Sequence, residues 1–124
     1  MPDRIRLDGK VAVVTGAARA IGAATIRLLA ARGARIVAVD RRQHELRDAI
    51  GDLPASAAAI AVTADVNDED EVAAYVRTAV DGFGSIDVFY NNAGIEGDIA
   101  PITKYSLETF RRVLDVNVDR KSVV

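Results

Sequence analysis

Short, almost unbroken apolar runs alternate along this chain with longer stretches in which apolar residues recur at helical spacing. Val11–Thr15 is apolar and β-branched, and Gly16 follows at once, which predicts a buried strand ending in a tight turn. Ile21, Ala24, Thr25, Leu28 and Leu29 then recur at the spacing of a helix face, and Gly33 stands where a helix ends. Arg35–Val39 predicts a second strand, closing on Asp40. Arg41–Ile50 predicts a polar, solvated helix, broken by Gly51–Pro54. Ala58–Thr63 predicts a third strand that runs into Ala64 and Asp65.

Asn67 is the expected N-cap of the next helix, with Asp68, Glu69 and Asp70 in its first turn, where carboxylates suit the helix dipole. Val72, Tyr75, Val76, Ala79, Val80 and Phe83 form its apolar stripe. Ile86–Tyr90 predicts a fourth strand leading into Asn91–Gly94. After a loop containing Pro101, Ser106 is the expected cap of a last helix with Phe110, Val113, Leu114 and Asn117 on one face. This βα alternation with continuous apolar strands predicts an α/β fold. Its sheet should be parallel, doubly wound and Rossmann-type, with strand order 3-2-1-4, truncated after the fourth strand and its helix.

Composition narrows the function. The 124 residues suit one domain, and half are hydrophobic with charges nearly balanced at a net of −2. No basic stripe supports a nucleic-acid or membrane partner. The absence of cysteine removes disulfides, thiolate metal sites and a Cys nucleophile, and a single histidine, His44, leaves no basis for a His-rich metal site. No apolar run reaches the ~20 residues of a membrane span. The start, MPDRIRLDGK, lacks the apolar core of a signal peptide, so a cytoplasmic location is expected. Asp68–Glu71 reads as a helix start rather than a metal site, because one turn cannot wrap a hard cation.

The candidate chemistry lies where strands end. Thr15–Gly22 is a small-residue turn opening a helix. Such a turn aims unpaired N–H groups at an anion and lets the backbone approach a pyrophosphate. Asp40 follows Gly22 by 18 residues, near the separation at which a carboxylate binds the adenosine ribose of NAD. Asp65-Val66 and the Asn91-Asn92-Ala93-Gly94 turn mark the other strand ends. Asn117 places an amide on an apolar helix face, where it needs a hydrogen-bond partner.

Together these residues resemble the classical short-chain dehydrogenases/reductases. Thr15–Gly22 (TGAARAIG) is similar to that family's TGxxxGxG cofactor motif, with Ala20 in place of the middle glycine. Asp65-Val66 resembles its adenine-contacting acidic pair, Asn91–Gly94 its NNAG motif, and Asn117 the helix Asn of its Asn-Ser-Tyr-Lys tetrad. The resemblance spans roughly residues 7–118. It implies a cofactor site made by Gly16, Ala18, Arg19, Ala20, Ile21, Gly22, Asp40, Arg41, Asp65, Val66, Asn92, Ala93 and Gly94. It gives Asn117 a part in catalysis, anchoring a water in the family's proton relay, and it implies no metal. The expected cofactor is NAD rather than NADP, because Asp40 would repel a 2′-phosphate, although Arg41 and Arg42 beside it could accommodate one. The implied reaction is hydride transfer between nicotinamide and a small carbonyl or alcohol substrate, in a homodimer or homotetramer.

Two departures limit that reading. None of Tyr75, Tyr90 and Tyr105 has a Lys four residues on, so this polypeptide is expected to bind cofactor and to be inactive alone, and to be poorly soluble with its fourth strand at an edge. A non-catalytic nucleotide-binding module and an extended-type epimerase or dehydratase are the alternatives. The latter would carry TGxxGxxG, whereas three residues separate Gly16 from Ala20 here. Residues 1–118 are thus read as an incomplete NAD(P)-binding domain, and Asp119–Val124 as a non-native tail. Three consecutive charges stand where apolar helix should continue, and one codon string that would encode these residues, GAT-CGG-AAG-AGC-GTC-GTG, resembles a sequencing adapter.

Overall fold

The strand Val11–Thr15 (β1) is buried at every position because it lies inside a parallel sheet covered on both faces. The computed structural model describes residues 5–94 and 100–119; the tail expected at Asp119–Val124 lies, beyond Asp119, outside them. Helix Ala20–Ala31 (α1) follows, then strand Arg35–Asp40 (β2), helix Gln43–Gly51 (α2), strand Ala59–Thr63 (β3), helix Glu69–Phe83 (α3) and strand Val88–Tyr90 (β4). A 3-10 turn at Ile102–Lys104, helix Leu107–Leu114 (α4) and a π-helical turn at Asp115–Asp119 complete the described chain. The sheet order is β3-β2-β1-β4, all parallel, as the strand pattern predicts.

The two-residue period of a strand divides the core into two layers. Ala12, Val14, Ile36 and Ala38 face one side, against Ile26 and Ala30 of α1 and Leu46 and Ala49 of α2. Val13, Val37 and Val39 face the other, against Tyr75 and Ala79 of α3. Burial pushes the Tyr75 hydroxyl up to about 12, so it stays a neutral phenol packed beside Phe89.

Several local expectations change. The face of α1 that meets the sheet is Gly22, Ile26 and Ala30, whereas Ile21 and Leu28 are 65% and 55% exposed. Small side chains at Gly22 and Ala30 allow close approach to the sheet, so the bulkier apolar residues turn outward. Helix α2 is less solvated than its polarity suggests, because Leu46 and Ala49 enter the core. The cap of α3 is Asp68, whose carboxylate accepts from the N–H groups of Asp70 at 3.0 Å and Glu71 at 3.2 Å. Asn67 stays in the preceding turn, its N–H donated to Asp65 Oδ1 at 2.9 Å. Strand β4 starts at Val88 rather than Ile86, since the Asp87 carboxylate takes the Val11 N–H at 2.9 Å in place of a main-chain carbonyl. Val80 on α3 and Phe110 and Leu114 on α4 are exposed, so the apolar stripes of these helices are only partly covered. Ser106 does cap α4, accepting from the Thr109 N–H at 3.2 Å.

Candidate functional site

All the strands carry their C-terminal ends to one edge of the sheet, and a cleft of about 840 Å³ opens there. In doubly wound sheets this edge is where ligands sit, at the point where chain order reverses between β1 and β4. The cleft is assembled from five separate segments, one at the end of each strand and the turn after α4.

The first is the turn after β1. Gly16 has φ +65°, and a side chain there would press on Ala93 and Asn92, so glycine brings this turn against the one after β4. Gly22 is buried under the turn, where a Cβ would overlap the carbonyl of Gly16. It sets the approach of α1 to β1 and, like buried Ala18, does not line the cleft; Gly16, Arg19, Ala20 and Ile21 do. Ala20 has φ +52° and is the one non-glycine residue with positive φ among the described residues. Arg19 occupies the N-cap of α1 with no side-chain cap bond, and the first turn holds no acid. Helix α3, by contrast, supplies its own anionic cap. The start of α1 is therefore a positive helix end with no carboxylate of its own turn to balance it.

The second segment is the end of β2. The Asp40 side chain is 3% exposed. Its Oδ2 accepts from the Ala18 N–H at 3.2 Å, and its Oδ1 from the Arg42 N–H at 2.9 Å and Arg42 Nε at 3.3 Å. Burial pushes its carboxyl above the ordinary value, against the opposing pull of the Ala18 hydrogen bond and the Arg19 charge. Arg41 and Arg42 both line the cleft.

The third segment is the end of β3, where Ala64 is tied to β2 by its N–H on the Asp40 carbonyl at 3.1 Å. Asp65, half-buried, and Val66, buried, face the cleft beside it. The fourth follows β4. The fully buried Thr15 hydroxyl donates to Asn91 Oδ1 at 3.3 Å and accepts the Ala93 N–H at 3.1 Å. Asn92 Nδ2 reaches the Gly16 carbonyl at 3.4 Å. Asn92, Ala93 and Gly94 thus form a wall fixed to β1.

Asn117 belongs to a segment beyond the four strands. It sits in the π-helical turn after α4, half-buried, and does not line the cleft, whereas the buried Val116 beside it does. His44 is exposed on α2, 3.7 Å from Asp48. Among the described residues no cluster of His, Cys, Asp or Glu could hold a metal ion, and no helix is long and apolar enough to cross a membrane. Sequence reasoning also missed Glu45 beside the cleft. Its i, i+3 spacing from Arg42 was a visible signal, but its approach to Arg19 depends on the fold.

A sequence profile described as short chain dehydrogenase matches residues 10–122. The chain belongs to the short-chain dehydrogenase family. Among its curated relatives, cis-4-hydroxycyclohexanecarboxylate dehydrogenase of Sinomonas cyclohexanicum is 45% identical over 111 residues, covering 88% of this chain and 44% of the relative. The crystal structure of levodione reductase superposes with a TM-score of 0.90 at 34% identity, covering 94% of this chain and 46% of that one. That of NAD+-bound xylitol dehydrogenase gives 0.89 at 37% identity, covering 94% and 45%. The chain spans less than half the length of the curated relatives it matches.

Proposed function

We propose that the protein carrying this chain is an NAD-dependent oxidoreductase that interconverts a small carbonyl compound and its alcohol as a homodimer or homotetramer, and that this chain supplies its cofactor site. The observation that carries the reading is the buried Asp40 carboxylate beside a helix start with no anionic cap of its own, the arrangement that suits a ribose next to a pyrophosphate. The xylitol dehydrogenase to which the fold is similar is described as NAD+-bound, which supports the same reading.

The residues fit that group. The turn Gly16–Ile21 and the first N–H groups of α1 would hold the pyrophosphate, and Asp40 would accept from the ribose hydroxyls of the adenosine half. Asp65 and Val66 would border the adenine, and Asn92–Gly94 would form the wall along the cofactor. Bound nicotinamide supplies the hydride chemistry, while the protein supplies orientation and proton handling. Asn117 would anchor a water in proton transfer, as its family resemblance implies.

NAD is the proposed cofactor over NADP because a 2′-phosphate would meet the Asp40 carboxylate. The test is kcat/KM for both cofactors in the full-length protein, with and without Asp40→Ser. The unmutated protein should favour NAD by about tenfold or more, with the substitution narrowing the gap, since each 1.4 kcal/mol is tenfold. Equal or better use of NADP by the unmutated protein overturns the assignment.

A further inference from the structure

Three arginines line the Asp40 side of the cleft, a concentration of positive charge that would ordinarily invite a second phosphate. Two of them are already engaged. Glu45, on the first turn of α2, places Oε2 3.2 Å from Arg19 Nε and 3.7 Å from Arg42 Nε. Arg42 Nε also lies 3.3 Å from Asp40 Oδ1. The Glu45 Oε2 atom is shielded from solvent and lacks a well-aligned hydrogen bond among the described residues. A carboxylate oxygen in that setting is costly unless nearby charge compensates it, and the two guanidinium groups do so. Arg19, as the N-cap of α1, also places its charge at the positive end of a helix, where an anionic neighbour is favourable.

We infer that Glu45 is a positioning residue for cofactor selectivity: it occupies Arg19 and Arg42, so that a 2′-phosphorylated adenine nucleotide finds them already paired. This rests on the cofactor reading above and adds a second carboxylate to it. Asp40 acts by repelling the phosphate directly, whereas Glu45 acts through the arginines it holds. Arg41 makes no ion pair among the described residues, although its charge still acts on Asp40.

The test uses the full-length protein and calorimetric titration with two probes, ADP-ribose and 2′,5′-ADP. Removing the charge with Glu45→Gln should tighten 2′,5′-ADP by about tenfold and leave ADP-ribose within about twofold, because charge-assisted contacts form only with the extra phosphate. The gain should shrink as salt is raised, and it should be reduced in the double variant Arg19→Gln/Glu45→Gln, where only Arg42 is left released. Glu45→Ala should behave like Glu45→Gln. A merely structural role for Glu45 would move both probes together, and that result, or no change in either, overturns the inference. If ADP-ribose fails to bind the unmutated protein, the cofactor reading itself fails and takes this inference with it; if ADP-ribose binds and Glu45→Gln leaves the ratio of the two affinities unchanged, only the inference fails.

Discussion

Asp40 Oδ2 accepts the backbone N–H of Ala18 at 3.2 Å, so the end of β2 is bonded directly to the small-residue turn after β1. The carboxylate that would hold a ribose is thereby fixed relative to the N–H groups that would hold the phosphates. The same bond sits in a buried environment, and the two influences oppose each other in the acidity of the group.

That opposition gives a pH prediction. Burial wins, so Asp40 in the folded chain titrates above its ordinary 3.8. The folded state then binds this proton more tightly than the unfolded state. The group's contribution to stability therefore falls as pH rises from 3.8 through the folded value, and it is flat above. ADP-ribose affinity should follow the opposite course, being greatest above the folded value and weakening as pH falls through it, since the ribose hydroxyls need the ionised acceptor. Carboxyl NMR titration should place the midpoint above 3.8, and Asp40→Asn should abolish the acidic limb of binding. A midpoint at or below 3.8 would sink the claim.

Ala20 pays a steric cost at φ +52° that glycine would not. Replacing it by glycine should stabilise the protein by about 1 kcal/mol or slightly less, the left-handed penalty being partly offset by greater freedom in the unfolded chain. At Gly22 the same pair of residues works in reverse. Gly22→Ala should cost about 3 kcal/mol or more, because the added methyl meets backbone rather than a yielding side chain. Urea denaturation of both variants checks the pair, and a neutral Gly22→Ala would contradict the packing described.

Thr15→Val keeps the shape of the side chain and removes its hydroxyl. The Ala93 N–H would lose the acceptor it has at 3.1 Å, in a part-buried place. The expected loss is about 1–3 kcal/mol, the cost of stranding a buried donor. Nucleotide affinity should fall as well, because the wall Asn92–Gly94 is anchored through this hydroxyl. Unchanged stability and unchanged ADP-ribose binding would show that the anchor is dispensable.

Leu107, Phe110, Leu114 and Val118 project outward from α4 and the turn beyond it, with no cover among the described residues. An exposed apolar stripe of this kind drives association. The isolated chain should therefore sediment as concentration-dependent oligomers or aggregates, and polar substitution at Phe110 and Leu114 should reduce that tendency. A monodisperse monomer at all concentrations would refute it.

The sheet was legible because β1, β2 and β3 are apolar runs closed by glycine or aspartate, a signal that survives without tertiary information. The inward face of α1 was not, since Ala, Ile and Leu surround that helix and periodicity alone cannot choose among them. The choice was made by Gly22, whose missing Cβ lets the helix close on the Gly16 carbonyl. The cap of α3 lies one residue past Asn67, because Asn67 and Asp68 are both good caps and only the Asp65 turn decides between them. The pairing of Arg19 with Glu45 links positions 26 residues apart and was invisible until α1 and α2 lay side by side on one face of the sheet.

Helices α1 and α3 begin in opposite ways, one with an arginine and no cap bond, the other with its own carboxylate. The difference makes α3 thermodynamically self-sufficient and leaves the first turn of α1 dependent on whatever anion reaches it. Amide hydrogen exchange should therefore be uneven between the two helix starts, fast at Ala20 to Gly22 in the unliganded protein and slow at Asp70 and Glu71. An anion that binds the folded state alone would slow the first set and raise the melting temperature with its concentration. In that sense the ligand is a missing piece of local secondary structure, and occupancy of the cleft can be read from protection of backbone amides without any turnover.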